Sequence, residues 1–117
     1  MNFVVINGKR LEVRIADSVE EREEGLQGVQ KLEGYDGMLF VFEKKEKVSF
    51  WNKNTLIDLD LVWIAGGKVV GVDFLPNQQS GLKIIQSPRE VDMVLELPSG
   101  KAGEFKISEG DMISWNI

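Results

Sequence analysis

Apolar and polar residues alternate with a period of two along much of this chain, and that period is typical of half-buried β-strands. The first apolar run, Phe3–Ile6, ends at Asn7-Gly8, which is a strong signal for a two-residue hairpin turn. Apolar residues then alternate with charged ones over residues 11–15. The N-terminal segment therefore predicts a β-hairpin.

One substantial helix is predicted directly after this hairpin. Ser18 and Glu21 have the spacing of a capping box, in which each side chain bonds the backbone N–H of the other residue. The helix is predicted to run over residues 19–27 and to end at Gly28. The spacing of its apolar residues places Arg22 on the inner face, so Arg22 is expected to point toward the protein.

The rest of the chain predicts further short strands separated by turn residues. They cover residues 38–42, 48–51, 59–65, 68–75, 82–86, 91–97 and 112–115, with a solvated turn at 43–47 and one helical turn at 102–105. About eight short strands and one helix in the N-terminal half predict a mainly β fold, either a single antiparallel β-sandwich or a partly open barrel. No repeat or linker divides residues 1–117, so we predict one domain.

Charge and composition narrow the classes of partner. The chain has 19 acidic and 14 basic residues, a formal net charge of −5, which disfavours nucleic acid and anionic membrane surfaces. No apolar run approaches the roughly 20 residues needed to span a bilayer, and no signal-peptide pattern opens the sequence. We therefore expect a soluble, cytoplasmic protein.

The chain contains no cysteine and no histidine. Zinc sites of the usual kind are thereby excluded, and the commonest general base near neutral pH is missing. No phosphate-cradling loop or other cofactor motif occurs, so we predict no cofactor and no metal. An enzyme is less expected than a binding protein, and the net charge is expected to change little between about pH 6 and pH 8.

The stretch FWNKNT at residues 50–55 joins large aromatic side chains to a dense run of hydrogen-bonding groups. One interpretation is a strand followed by a polar loop whose amides cap their own backbone. The other is a pocket in which Trp51 forms an apolar wall and Lys53, Asn54 and Thr55 supply converging donors.

FWNKNT and the following LIDLDLVWI resemble the FWMKNT…PLD signature of domain-of-unknown-function family 192, a set of small prokaryotic proteins. Residues 21–26, EREEGL, are similar to its E-R-x-x-G-L helix, and residues 37–42, GMLFVF, to its G-M-L-F-x-F strand. Residues 94–97, Gly100 and residues 110–111 resemble its C-terminal V-L-E-L…G…G-D pattern. The resemblance implies a compact β-sandwich-like fold with one helix and no established activity. Many members look exported, although this chain shows no such segment.

Two positions depart from the pattern of that family. Asn52 and Gln27 stand where its members usually carry methionine. If the two positions touch, a hydrogen bond between the amides would replace a contact between thioethers and leave neither amide unpaired. We therefore predict a Gln27–Asn52 hydrogen bond.

The charged residues near the aromatic stretch allow more than one role. Lys53 needs a counter-charge if it is partly buried, and Asp58, Asp60 and Glu21 are the available carboxylates. Asp58 and Asp60 lie two apart and could hold a hard cation, but an ion pair of Asp60 with Lys53 or Arg22 is the favoured interpretation. Arg22 either pairs internally, with Asp60 or Glu96, or binds a ligand carboxylate or phosphate.

These patterns favour a binding or accessory domain that takes a small polar molecule, a glycan or a peptide. The predicted niche lies between the helix and the loop at residues 51–55. Its candidate residues are Arg22, Gln27, Trp51, Asn52, Lys53, Asn54, Thr55 and Asp60. One alternative is a hydrolase or lyase that uses Asp60 or Glu21 with Lys53, and another is a purely structural or protein-interaction role.

Overall fold

A computed structural model describes residues 2–117 and contains nine strands and two short helices. The strands are β1 (Phe3–Ile6), β2 (Lys9–Ala16), β3 (Gly37–Glu46), β4 (Ser49–Trp51), β5 (Leu59–Ala65), β6 (Lys68–Leu75), β7 (Ile84–Gln86), β8 (Val91–Pro98) and β9 (Ile113–Asn116). The helices are α1 (Val19–Glu24) and α2 (Lys101–Glu104), and one 3-10 turn covers Gln78–Ser80.

Seven strands form one curled sheet in the order β6-β5-β8-β3-β2-β1-β9, and β4 and β7 form a separate ribbon. The two edges of the curled sheet meet at one end, where the N–H of Val69 donates to the carbonyl of Asp111 at 2.8 Å. The sheet is therefore a half-barrel, and the predicted mainly β fold with a partly open barrel is confirmed.

One pair of strands departs from the antiparallel prediction. β2 and β3 are parallel, with Val13 opposite Gly37. The segment between them carries α1 and returns the chain to the same end of the sheet, and such a crossover connection produces parallel neighbours.

Apolar side chains cover both faces of the sheet. Along β8, Met93, Leu95 and Leu97 belong to one buried cluster, while Val94 belongs to another. The second cluster also contains Leu26, which follows α1, and Val48, which precedes β4. Side chains on both faces of β8 are therefore buried, although β8 belongs to a single sheet.

Two predicted boundaries differ from the structure by three residues or more. The helix ends at Glu24 rather than Gln27, because Gly25 adopts φ 50° and its N–H donates to the Glu21 carbonyl. A side chain at Gly25 would also meet the Phe40 ring, whose nearest carbon lies 3.3 Å from an ideal Cβ. The charged residues 43–46, predicted as a turn, continue strand β3 with their side chains in solvent.

The predicted capping box at the start of α1 is present. Ser18 Oγ accepts from the Glu21 N–H at 3.1 Å, and Glu21 Oε1 accepts from the Ser18 N–H at 3.2 Å. Hydrogen bonds from the backbone of Asp17 first, and then of Ser18, hold the pKa of Glu21 below its usual value. The Glu21 carboxylate is therefore part of the helix start.

We expect Ser18→Ala to lower the free energy of unfolding by about 1 kcal/mol, because it removes the acceptor of the capping box. Urea unfolding followed by circular dichroism measures this change. Ser114→Ala, on the exposed face of β9, is the matched control and should have no measurable effect. Equal stability of the Ser18 and Ser114 variants would contradict the role of the cap.

Among residues 2–117, neither helix has the length and apolar character needed to cross a membrane.

Candidate binding cleft

A cleft of ≈ 790 Å³ opens between α1 and the segment from Val48 to Thr55. Its walls come from α1 and the turn after it on one side, and from β4 and the following loop on the other. Phe40 and Phe42 of β3 and Glu96 of β8 complete the lining. Six of the eight predicted residues line this cleft: Arg22, Gln27, Trp51, Lys53, Asn54 and Thr55.

Two contacts hold the helical wall in place. The Arg22 Nη1 donates to the carbonyls of Asp17 at 2.8 Å and Val41 at 3.0 Å. Its guanidinium lies 5.0 Å from the centroid of the Phe42 ring. Arg22 does pair internally, but with backbone carbonyls rather than with Asp60 or Glu96, so it ties α1 to β3.

The turn that follows α1 and the amide-rich loop meet directly. The N–H of Gly28 donates to the carbonyl of Asn54 at 2.9 Å. Asn54 itself adopts φ 58°, a left-handed conformation that asparagine tolerates better than most residues. Its N–H contacts the Gln78 side-chain oxygen, which attaches the loop to the 3-10 turn. Asn54 is thus bonded to the turn after α1 on one side and to the 3-10 turn on the other.

The aromatic wall is partly buried and partly open. Phe50 packs edge-to-face on Phe40, with ring centroids 4.9 Å apart, and on Trp63 at 5.7 Å. Trp51 is 48% exposed, and the Lys53 ammonium lies 5.2 Å from the centroid of the Trp51 ring. Lys53 contacts an aromatic face, and the structure shows no ion pair between Lys53 and Asp60.

Asn52 lies behind the cleft rather than in its lining. Its side chain is fully buried, with Nδ2 within hydrogen-bond distance of the carbonyls of Pro76, Asn77 and Gly81. Its Oδ1 accepts from the Lys83 N–H at 2.8 Å. The side-chain polar groups of Asn52 are therefore already used by the loop at residues 76–83.

The predicted Gln27–Asn52 hydrogen bond is wrong for this reason. Gln27 Nε2 instead donates to the Glu23 carbonyl at 3.3 Å. Gln27 is thus bonded to the backbone of its own segment, and Asn52 to the backbone of the distant loop at residues 76–83. The replacement of the two methionines in this chain is not explained by a contact between them.

Asp58 and Asp60 are structural. Asp58 Oδ1 accepts from the backbone N–H and the side-chain amide of Asn77, both at 2.8 Å. Asp60 Oδ2 accepts from the N–H groups of Gly100 at 2.9 Å and Ala102 at 3.0 Å, on the opposite face of the sheet from the cleft. Asp60 is therefore not brought together with the other candidate residues, since strand alternation points it at α2.

Glu96 is the residue whose position the sequence analysis missed. It lies between Met38 of β3 and Leu61 of β5 in the sheet, is 4% exposed, and lines the cleft. Its Oε1 is buried and has no hydrogen-bond partner. Burial raises the pKa of Glu96 to about 8, because desolvation penalises the charged carboxylate.

From the sequence we expected the net charge to change little between pH 6 and pH 8. The structure differs, because Glu96 titrates at the upper end of this interval. The pattern of charged and apolar residues did not predict the burial of Glu96. In V-L-E-L, a glutamate between two leucines is the residue expected to face solvent, and only the layer formed by α1 and the segment at 48–55 buries it.

A second groove of ≈ 810 Å³ adjoins the cleft. The two share Glu24, Gln27, Asn54 and Thr55. The groove continues along Asn77, Gln78 and Gln79, and the side chain of Leu56 is exposed in it. Side-chain amides dominate this extension, which provides hydrogen-bonding groups beyond the aromatic part of the site.

Comparisons with known proteins place the chain in a family described as uncharacterised. The model of a family named DUF192 and described as "Uncharacterized ACR" matches residues 3–115. No functionally curated protein matches the sequence.

Two solved structures have the same fold. A candidate transcription regulator from Sinorhizobium meliloti is 30% identical, with a TM-score of 0.85, and the match covers 98% of this chain and 94% of that one. A protein of unknown function from Novosphingobium aromaticivorans is 22% identical, with a TM-score of 0.84, over 97% of this chain and 84% of that one.

Proposed function

Because this chain belongs to domain-of-unknown-function family 192, which has no established activity, we infer its function from the cleft. We propose that the chain is a non-enzymatic binding domain. The cleft between α1 and residues 51–55 takes a small polar ligand or a short polar segment of a glycan or peptide. Its volume of ≈ 790 Å³ falls in the range of small-molecule sites, which is about 300–1,000 Å³.

The unpartnered Oε1 of Glu96 carries this proposal. Buried side-chain oxygens in folded proteins nearly always have a hydrogen-bond partner, and one without a partner costs about 1–3 kcal/mol. Asp60, a buried carboxylate on the other face of the sheet, accepts two backbone hydrogen bonds. Glu96, in contrast, keeps a buried oxygen without a partner, and its side chain lines the cleft.

The rest of the lining supports the same function. The half-exposed ring of Trp51 offers a flat apolar face, and Lys53, Asn54 and Gln27 place polar groups around it. An apolar wall with a few convergent polar groups is the usual composition of a ligand site. The adjoining groove extends that polar surface toward Gln78 and Gln79.

DNA binding is not proposed, although one structural neighbour is described as a candidate transcription regulator. A net charge of −5 opposes contact with phosphates. Glu20, Glu23 and Glu24 also place carboxylates along the mouth of the cleft.

The alternative function, a hydrolase or lyase, requires Asp60 or Glu21 to act together with Lys53. Glu21 is engaged in the helix cap and Asp60 in binding the start of α2. Neither belongs to the lining of the cleft. The catalytic pair that the alternative needs is therefore not assembled, and the binding function is the better supported of the two.

Ligand-observed NMR with a mixture of metabolites, short oligosaccharides and short peptides tests the proposed function. We expect at least one ligand whose signal is lost with Trp51→Ala and weakened with Lys53→Ala, because both side chains line the cleft. Trp115→Ala on β9 and Lys44→Ala on β3 are matched controls, exposed and outside the lining.

Binding that persists in both cleft variants, or is lost equally in the control variants, would remove the cleft as the site. A complete absence of binding across the mixture would remove the proposed function itself.

A further inference from the structure

Glu96 has no positively charged partner within the described chain. The three ion pairs among residues 2–117 join Arg10 to Glu12, Arg89 to Glu109 and Lys101 to Glu104. None of them lies at the cleft. In the sheet, the neighbours of Glu96 are the uncharged side chains of Met38 and Leu61.

We propose that the cleft recognises a positively charged nitrogen group, guanidinium or ammonium, which donates to the carboxylate of Glu96 and lies against the aromatic wall. This inference rests on the proposed binding function and names the chemistry of its ligand. The group could belong to a free small molecule or to the side chain of a peptide, and the two sources are distinguished below.

The charge of the lining favours a cation. Glu20, Glu23 and Glu24 supply carboxylates, Glu96 adds a fourth when it ionises, and cationic groups come only from Arg22 and Lys53. The Arg22 guanidinium is held by two backbone carbonyls and so is not free to neutralise Glu96. A cleft with an excess of carboxyl groups attracts a cationic ligand and disfavours an anionic one.

The aromatic wall favours the same class of ligand. Phe40, Phe42, Phe50 and Trp51 all line the cleft. Two of these rings already contact cations of the chain, since Arg22 lies 5.0 Å from the Phe42 centroid and Lys53 lies 5.2 Å from that of Trp51. The negative face of an aromatic ring stabilises a nearby cation, and more strongly where water is excluded.

Binding of a cation should be linked to the ionisation of Glu96. The charged groups that face it across the cleft are Glu20, Arg22, Glu23 and Glu24 on the α1 side and Lys53 on the loop side, while β3 and β5 present uncharged neighbours. With a pKa of about 8, Glu96 is largely protonated at pH 7 and ionised at pH 9. A ligand that binds the carboxylate should therefore bind about tenfold more tightly at pH 9 than at pH 7.

Isothermal titration calorimetry with matched probes tests the inference. The cationic probes are Nα-acetyl-arginine amide and Nα-acetyl-lysine amide, and Nα-acetyl-citrulline amide is the neutral isostere of the first. We expect the arginine probe to bind at least about tenfold more tightly than the citrulline probe. Its affinity should also rise about tenfold from pH 7 to pH 9.

Glu96→Gln is the decisive variant, because it keeps the shape and removes the charge. The variant should bind the arginine probe at least about tenfold more weakly, and this affinity should no longer depend on pH. Glu90→Gln, an exposed control outside the cleft, should bind the probe as wild type does. A Gly-Arg-Gly peptide that binds more tightly than the single residue would identify a peptide side chain as the source. Equal affinity would identify a free small molecule.

Equal affinity for arginine and citrulline probes, or unchanged affinity in Glu96→Gln, would overturn the inference. So would the failure of both cationic probes to bind. If neutral ligands from the NMR mixture still require Trp51 in that case, the binding function stands and only the cationic class is wrong.

Discussion

The free energy of unfolding of this protein is expected to fall as the pH rises from about 5 to about 8, and the Glu96→Gln variant is expected to lack that fall. Burial raises the pKa of Glu96 from 4.5 in the unfolded chain to about 8 in the folded protein. Between these values the unfolded chain releases the proton and the folded protein keeps it, so deprotonation favours unfolding. Stability from this group is complete below about pH 4.5 and is lost once the pH passes 8.

The size of this effect is large for one side chain. Each pH unit between the two pKa values changes the free energy of unfolding by at most about 1.4 kcal/mol, so the loss between pH 5 and pH 8 is roughly 3.5 kcal/mol, because the slope is smaller near each pKa. Urea unfolding at pH 5, 6.5 and 8 measures it. Glu96→Gln should be about as stable as wild type at pH 5 and more stable at pH 8.

Glu21 should behave in the opposite way. Its pKa is lowered in the folded protein, so its contribution to the free energy of unfolding is lost only as the pH falls into the acid range. The exposed control Glu90→Gln should follow the wild-type curve at every pH. Parallel curves for wild type and Glu96→Gln between pH 5 and pH 8 would show that Glu96 ionises normally in the folded protein.

Asn52→Ala is expected to lower the free energy of unfolding by about 3 kcal/mol. The Asn52 amide faces the carbonyls of Pro76, Asn77 and Gly81 and accepts from the Lys83 N–H, all from a fully buried position. Its removal loses several hydrogen bonds at about 1 kcal/mol each and leaves buried backbone groups without partners. Asn52→Asp should be at least as damaging at pH 7, since a carboxylate oxygen would then face carbonyl oxygens.

Urea unfolding also measures this change, and an unaltered dependence on urea concentration would show that the folded and unfolded states keep their compactness. Asn116→Ala, exposed near the end of β9, is the matched control and should change stability by less than about 0.5 kcal/mol. An Asn52→Ala protein as stable as the Asn116 variant would mean that the buried amide does not hold the loop.

The sequence predicted the strands best where turn residues isolate an apolar run. β5 and β6 have the predicted bounds, because Gly66-Gly67 breaks the pattern between them and both glycines adopt positive φ. The helix was predicted too long, since the apolar spacing continues to Leu26 while the chain turns at Gly25. Spacing alone does not show that a side chain at residue 25 would come within 3.3 Å of the Phe40 ring.

The candidate site was predicted in part for a similar reason. The motif at residues 50–55 identified the loop, but the assignment of individual side chains needed the tertiary structure. Asn52 and Asp60 turned inward to bind backbone groups from residues 76–83 and 100–102, which lie far away in the sequence. Glu96 turned toward the cleft, because α1 and the segment at 48–55 cover the face of the sheet that strand alternation would leave to solvent.

The proposed function depends on the buried carboxyl group of Glu96, which has an oxygen without a partner and lines the cleft. The most direct measurement is an NMR titration of the Glu96 carboxyl carbon in the unliganded wild-type protein, with Glu96→Gln used to assign the signal. A midpoint near pH 8 is the result that this structure predicts. A midpoint near the ordinary glutamate value of 4.5 would contradict it, because Glu96 would then be solvated or already paired with a cation.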